Sequence, residues 1–355
     1  MQLTDTRLRG FFISLISFVI TACALATSAL SMERKHAVPT EIPVRTCELS
    51  ELIVCIPLQS DWVDHGMIFE AGAGGEWDYY LWGGFALSAT KKEGKYYLYY
   101  QGASDYRTEY DETVMWRAIG VATSSDGIHF TKHEGNPVVS WFPNQNGEEG
   151  AVSSAVSVGD NGEMMLFYGA NTEENATTVN ADVRAASSFD GLNFTELGIV
   201  LNRDDRSVWG YGDELFSVDA IYDSGRWVVY YIPNGTAESG LLGVAYGEQY
   251  NQLTQSSMVT SKEKPISVWG TVGHVKLGHD RYALILNNSR ENRTEVRLMS
   301  LQAPNSLSEP VAEYQFTEVE QAIFLLDEEK GAWFLYYYDL ARNGYGVKTA
   351  PASPP

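Results

Sequence analysis

One short phrase recurs five times along this chain and limits its fold more than any other feature. Gly94-Lys95-Tyr96-Tyr97-Leu98-Tyr99-Tyr100 reads as a turn followed by a buried aromatic strand. Related phrases stand at 162–168, 225–231, 280–286 and 331–337, at intervals of 68, 63, 55 and 51 residues. A period of that size, holding several short strands and their turns, is the spacing of propeller blades rather than of a sandwich. Other parts of the unit repeat in step. Ser124-Ser125-Asp126-Gly127-Ile128-His129-Phe130 matches the run 187–194, each around an Asp-Gly turn of the kind that needs positive φ. Trp-Gly pairs at 82–83, 209–210 and 269–270 precede the first strand of units one, three and four. No linker-like stretch interrupts the units. The expectation is one all-β domain over residues 61–350, a five-bladed β-propeller whose blades are four-stranded antiparallel sheets, followed by a tail at 351–355.

Composition agrees with that reading and narrows the partners. The 9 Trp, 21 Tyr and 14 Phe favour strands and also supply flat faces for ligands. With 25 Lys plus Arg against 46 Asp plus Glu, the net charge is −21. Such a chain is a poor partner for nucleic acid or an anionic membrane surface, both of which are held through surplus cations. A hydrophobic share of 44% also sets it apart from disordered acidic chains.

The N-terminus reads as an address. Arg7 and Arg9 precede a mostly apolar stretch from Phe11 to Ala26, followed by small residues through Ser31. This is the pattern of a signal peptide over residues 1–31, and it predicts a secreted, periplasmic or cell-surface protein. Ile20-Thr21-Ala22-Cys23 is a loose lipobox, with Cys23 as an alternative lipid anchor. Residues 32–60 form a separate segment in which Cys47 and Cys55 predict a small disulfide loop. Five Asn-x-Ser/Thr sequons, at Asn175, Asn193, Asn234, Asn287 and Asn292, leave the source open.

In blade one the phrases run in a familiar order: Glu76-Trp77-Asp78, the aromatic run, Ile119 through Phe130, then Gly135-Asn136-Pro137-Val138. In this the chain resembles the five-bladed propeller glycoside hydrolases of families 43, 32, 62, 68 and 130, nearest in style to family 43. It lacks the Trp-x-Asn-Asp-Pro-x-Gly, Arg-Asp-Pro and Glu-Cys motifs of fructosidases, and its Asp-Gly turns are one residue short of a sialidase Asp box. It therefore reads as an outlying member. The resemblance implies one acid at the funnel end of the inner strand in each of the first three blades. Those positions are Asp78 as base or nucleophile, Glu149 as the pKa-tuning acid, and the pair Asp213 and Glu214, with Glu214 as proton donor. Asp219, Asp204 and Asp205 read as ordinary strand or turn acids. His274 is similar to the axial histidine of family 43, which helps hold a central cation or water. Trp82, Trp209 and Trp269 are candidate sugar platforms, with blade packing as the alternative role of each.

Hydrolysis of a glycosidic bond needs one carboxyl to protonate the leaving oxygen and another to activate water or attack the anomeric carbon. The leading expectation is thus a secreted glycosidase acting on oligo- or polysaccharides, with no required cofactor and a central structural cation left open. The alternatives are a carbohydrate-binding propeller without catalysis and a glycoside phosphorylase, for which only Arg203, Arg206 and Arg226 lie near the blade-three acids.

Overall fold

The computed structural model describes residues 56–81, 87–107, 113–140, 150–171, 181–211, 214–234, 240–316 and 321–352, all inside the compact unit Arg45–Pro355. Strand β1 (Val63–Glu70) comes first and joins a sheet only at the far end of the chain. Blade one then holds β2 (Tyr80–Leu81), β3 (Ser88–Lys92), β4 (Lys95–Arg107), β5 (Thr113–Ser124), β6 (Thr131–Lys132) and β7 (Val139–Ser140). Its inner position is shared by β2 and β3, both paired with β4, and its outer position by β6 and β7, both paired with β5. Blade two is β8 (Ala151–Val158), β9 (Met164–Asn171), β10 (Ala181–Ser188) and β11 (Thr195–Leu201). Blade three is β12 (Glu214–Asp223), β13 (Arg226–Asn234), β14 (Gly243–Gly247) and β15 (Gln255–Met258). After a ribbon of β16 (Thr260–Ser261) and β17 (Lys264–Pro265), blade four is β18 (Val272–Gly278), β19 (Arg281–Asn288), β20 (Arg293–Ser300) and β21 (Leu307–Tyr314). Blade five is β22 (Gln321–Asp327), β23 (Ala332–Asp339) and β24 (Gly344–Pro351), and β1 supplies its fourth strand, antiparallel to β24.

The five sequence phrases are the second strands β4, β9, β13, β19 and β23, so the predicted propeller and its blade count are the observed ones. Their aromatic runs are explained by the two-residue period of a strand. Tyr96, Leu98 and Tyr100 pack toward blade five, whereas Tyr97 and Tyr99 pack toward blade two. The core is accordingly a set of hydrophobic layers, one at each of the five junctions between neighbouring blades.

The sixth position of the phrase has a further duty. Tyr99, Tyr230 and Tyr336 each cross to the next blade and donate to a carbonyl in its outer turn, at Gly191, Pro304 and Gly127 respectively, over 2.9, 2.8 and 3.1 Å. The Asp-Gly turns are shaped to receive them. Gly127 and Gly191 have φ of 81° and 72°, and a Cβ on either would press into the preceding blade.

Strands β3, β8, β12, β18 and β22 pack side by side in a closed ring around the axis. A side-chain hydrogen bond crosses every junction of that ring. Ser88 Oγ donates to Ser154 Oγ over 3.2 Å, and Ser153 Oγ lies 3.3 Å from Ser217 Oγ. His274 Nδ1 is 2.9 Å from Asp219 Oδ1, Thr271 Oγ1 donates to the Ala322 carbonyl over 2.8 Å, and Lys91 Nζ donates to Asp327 Oδ1 over 2.9 Å.

Candidate active site

Asp78 lies just ahead of β2, and its side chain is 4% exposed. Lys132 Nζ donates to Asp78 Oδ2 over 2.7 Å, and the Tyr100 hydroxyl donates to the same oxygen over 3.3 Å. Tyr100 packs on Phe69 and Tyr345 of blade five. The carboxylate therefore lies just before the inner position of blade one, on the flank that faces blade five. The family-like phrases of blade one converge here. Trp77 lies so close over Gly102 that a Cβ there would come within 2.5 Å of the indole. The Asn136 amide pairs with both Val121 N and Val121 O, and donates to the Tyr100 hydroxyl over 3.2 Å. Lys132, which no motif marked, completes the cluster. Its signal was faint: the Thr-Lys after the first Asp-Gly turn has no basic counterpart in the second, where Thr195 is followed by Glu196.

Glu214 is the first residue of β12, the inner strand of blade three. It faces Asn234 across the β12–β13 pair, and the Asn234 amide donates to its carboxylate. Glu149, Asp213 and Trp82 lie outside the described residues, as do Cys23, Cys47 and Cys55.

The five inner strands line a cavity of about 440 Å³. His274 on β18 and Asp219 on β12 meet inside it, and the His274 ring packs edge-on against Tyr282. Asp219 is thus no ordinary strand acid. A register shift between Ser217 and Asp219 breaks the alternation of β12, so the side of the sheet it faces could not be counted from the sequence. Among the described residues no three His, Cys, Asp or Glu side chains gather as a metal site, and the His274–Asp219 pair has no third such donor.

Of the three candidate sugar platforms, the two among the described residues, Trp209 and Trp269, make packing contacts. The Trp209 carbonyl accepts from the Tyr231 hydroxyl over 2.8 Å, and its ring lies against Gly243 between the strands of blade three. Trp269 carries the Arg290 guanidinium 3.2 Å from its ring centroid and packs against Gly240. Of the sequons, Asn287 is 3% exposed, so the folded chain cannot present it to a glycosylating enzyme.

The architecture has parallels among solved structures. A family 117 glycoside hydrolase of the marine bacterium Zobellia galactanivorans superposes with a TM-score of 0.57 at 13% identity, over 83% of this chain and 92% of that one. A glycoside hydrolase candidate from Parabacteroides distasonis gives 0.52 at 13% identity, over 82% and 98%. A glycosidase candidate from Bacteroides thetaiotaomicron gives 0.51 at 14% identity, over 87% and 97%. At these identities the likeness is one of fold. In sequence, residues 88–208 match the model described as the glycosyl hydrolases family 32 N-terminal domain. The chain carries a five-bladed propeller, one part of which matches that family model. The matched stretch of this propeller runs from β3 through blade two to the approach of β12, and it falls on family 32 although the phrasing of blade one is nearer to family 43. A search of curated proteins finds no match to the chain.

Proposed function

We propose that this propeller is an exported glycosidase that hydrolyses a glycosidic bond of an oligo- or polysaccharide, with Glu214 as the proton donor. The observation that supports the reading is the station of Glu214, a half-buried carboxyl on the first residue of an inner strand with an amide donor from Asn234 to orient it. A proton donor must sit beside the leaving oxygen, and the mouth of the inner ring is where a sugar entering the funnel would lie. The second carboxyl comes from Asp213 or Glu149, acids that in sequence closely precede β12 and β8. A separation of about 5 to 5.5 Å from Glu214 would give retention, and one of about 6.5 to 9.5 Å inversion. Export rests on the leader sequence.

The test is hydrolysis of chromogenic arabinofuranosides, xylopyranosides, fructofuranosides and mannopyranosides by the full chain and by Glu214→Gln. Turnover of at least one substrate, reduced roughly 10²- to 10⁴-fold in the variant, is the expected result. An inert wild-type chain, or a variant with unchanged kcat/KM, overturns the assignment.

One observation favours a second reading, a saccharide-binding propeller without hydrolysis. Asp78, the acid that the blade-one resemblance offers as base or nucleophile, is closed off by Lys132. That reading predicts saccharide binding with no release of reducing sugar, and binding unchanged by Glu214→Gln.

A further inference from the structure

Strand β12 is ten residues long, so its two ends lie about 30 Å apart. At the end away from Glu214, blade three, joined by Gln302 of blade four, lines an open groove of about 970 Å³, near the upper limit of small-ligand sites at roughly 300 to 1,000 Å³. Tyr222, near the end of β12, borders this groove and the cavity between the inner strands alike.

The lining is chemically one-sided. Gln249, Gln252, Gln255 and Gln302 all project into it, all exposed, and none of the four amides has a hydrogen-bond partner among the described residues. An amide both donates and accepts, as a sugar hydroxyl does, so four of them around one groove match a polyol rather than an ion. Charge is nearly cancelled. Arg226 is committed, with Nη1 donating to the Leu301 carbonyl over 2.9 Å and the guanidinium 4.4 Å over the Tyr246 ring, which leaves Glu248 as the other charge. A phosphate or nucleic-acid ligand would need free cations here. The walls are also fixed in place, because the Arg226–Leu301 and Tyr230–Pro304 bonds tie blade three to blade four beneath the groove.

The geometry points to a second saccharide-binding site, one that takes a neutral glycan chain and performs no chemistry. It would keep the propeller on a polymer while the funnel end works on chain ends or branches. The choice of ligand class rests on the glycosidase reading; the existence of the groove does not.

The experiment is affinity electrophoresis of the full chain, in the Glu214→Gln background so that the probe stays intact. The gels contain soluble arabinoxylan, arabinan, mannan or levan. Retardation by at least one polymer is expected, with affinity about tenfold lower once Gln255→Ala and Gln302→Ala are added together. The same double substitution in the otherwise unaltered chain leaves turnover of small chromogenic glycosides and the thermal unfolding temperature unchanged. Retardation that ignores the two glutamines, or no retardation by any of the four polymers, overturns the proposal. A chain that hydrolyses nothing yet is retarded in a glutamine-dependent way loses the catalytic reading and keeps this one.

Discussion

Lys132 and Asp78 show how a motif can be right about importance and silent about role. Asp78 is 4% exposed at its side chain and Lys132 29%, so the pair is mostly out of water. Substituting Lys132→Met strands a buried carboxylate, which should lower unfolding stability by about 3 kcal/mol, near the low end for a broken buried pair. The second substitution Asp78→Asn should return at least half of that loss. Urea unfolding of the two variants checks both statements, and a single variant with an unmoved midpoint would show the pair to be idle. Glu76-Trp77-Asp78 was legible as a unit because Trp77 must cross Gly102 for the loop to close. Its partner was not legible, since nothing in a two-residue strand such as Thr131–Lys132 announces where the ammonium reaches.

At the scale of elements, the second strand of each blade was the easiest to read. It alternates between two core layers, so both faces are apolar and the run stands out against the half-exposed strands outside it. The tyrosine in its sixth position adds a prediction. In Tyr336→Phe the packing survives while the Gly127 carbonyl loses its donor, at a cost of about 1 to 2 kcal/mol. Thermal unfolding should report that drop together with unchanged far-ultraviolet dichroism; an unaltered unfolding temperature would mean the latch between blades five and one is not held there. Elements without a repeat were harder. Strand β1 has no aromatic phrase and pairs only with β24, so nothing in the sequence order announces that it completes blade five. The candidate site was the least legible part. Of its described members, Glu214 could be found from the apolar strand it precedes, but the meeting of His274 and Asp219 depends on a shifted register and on ring closure.

At the scale of the whole molecule, three ion pairs among the described residues contribute to the response to acid. Burial pushes the Asp327 carboxyl up, but hydrogen bonds from Tyr96 and Lys91 outweigh it and hold the group below its ordinary value. Asp223 is likewise raised by burial and lowered further by Lys276 and Tyr282, and Asp64 is raised by burial and lowered further by Lys348. In each case the folded group binds its proton less readily than the unfolded one. Their stabilisation is therefore complete above the ordinary aspartate value of about 3.9 and is lost as pH falls through the lower folded values. Unfolding temperatures measured between pH 7 and pH 2.5 should stay level down to about pH 5 and then fall. Asp327→Asn should make that fall shallower, and an equally steep descent would remove Asp327 from the account.

The pairing of β1 with β24 also carries a consequence in time. Val63 faces Thr349 across the last sheet, so the closing contact joins residues nearly the whole domain apart. During synthesis β1 emerges early and must wait, unpaired, until the final strand has left the ribosome. Blades two, three and four can form behind it from local hairpins, but the circle cannot be finished by any partial chain. A leader at residues 1–31 would thus be presented to an export machinery well before the fold that follows it could lock.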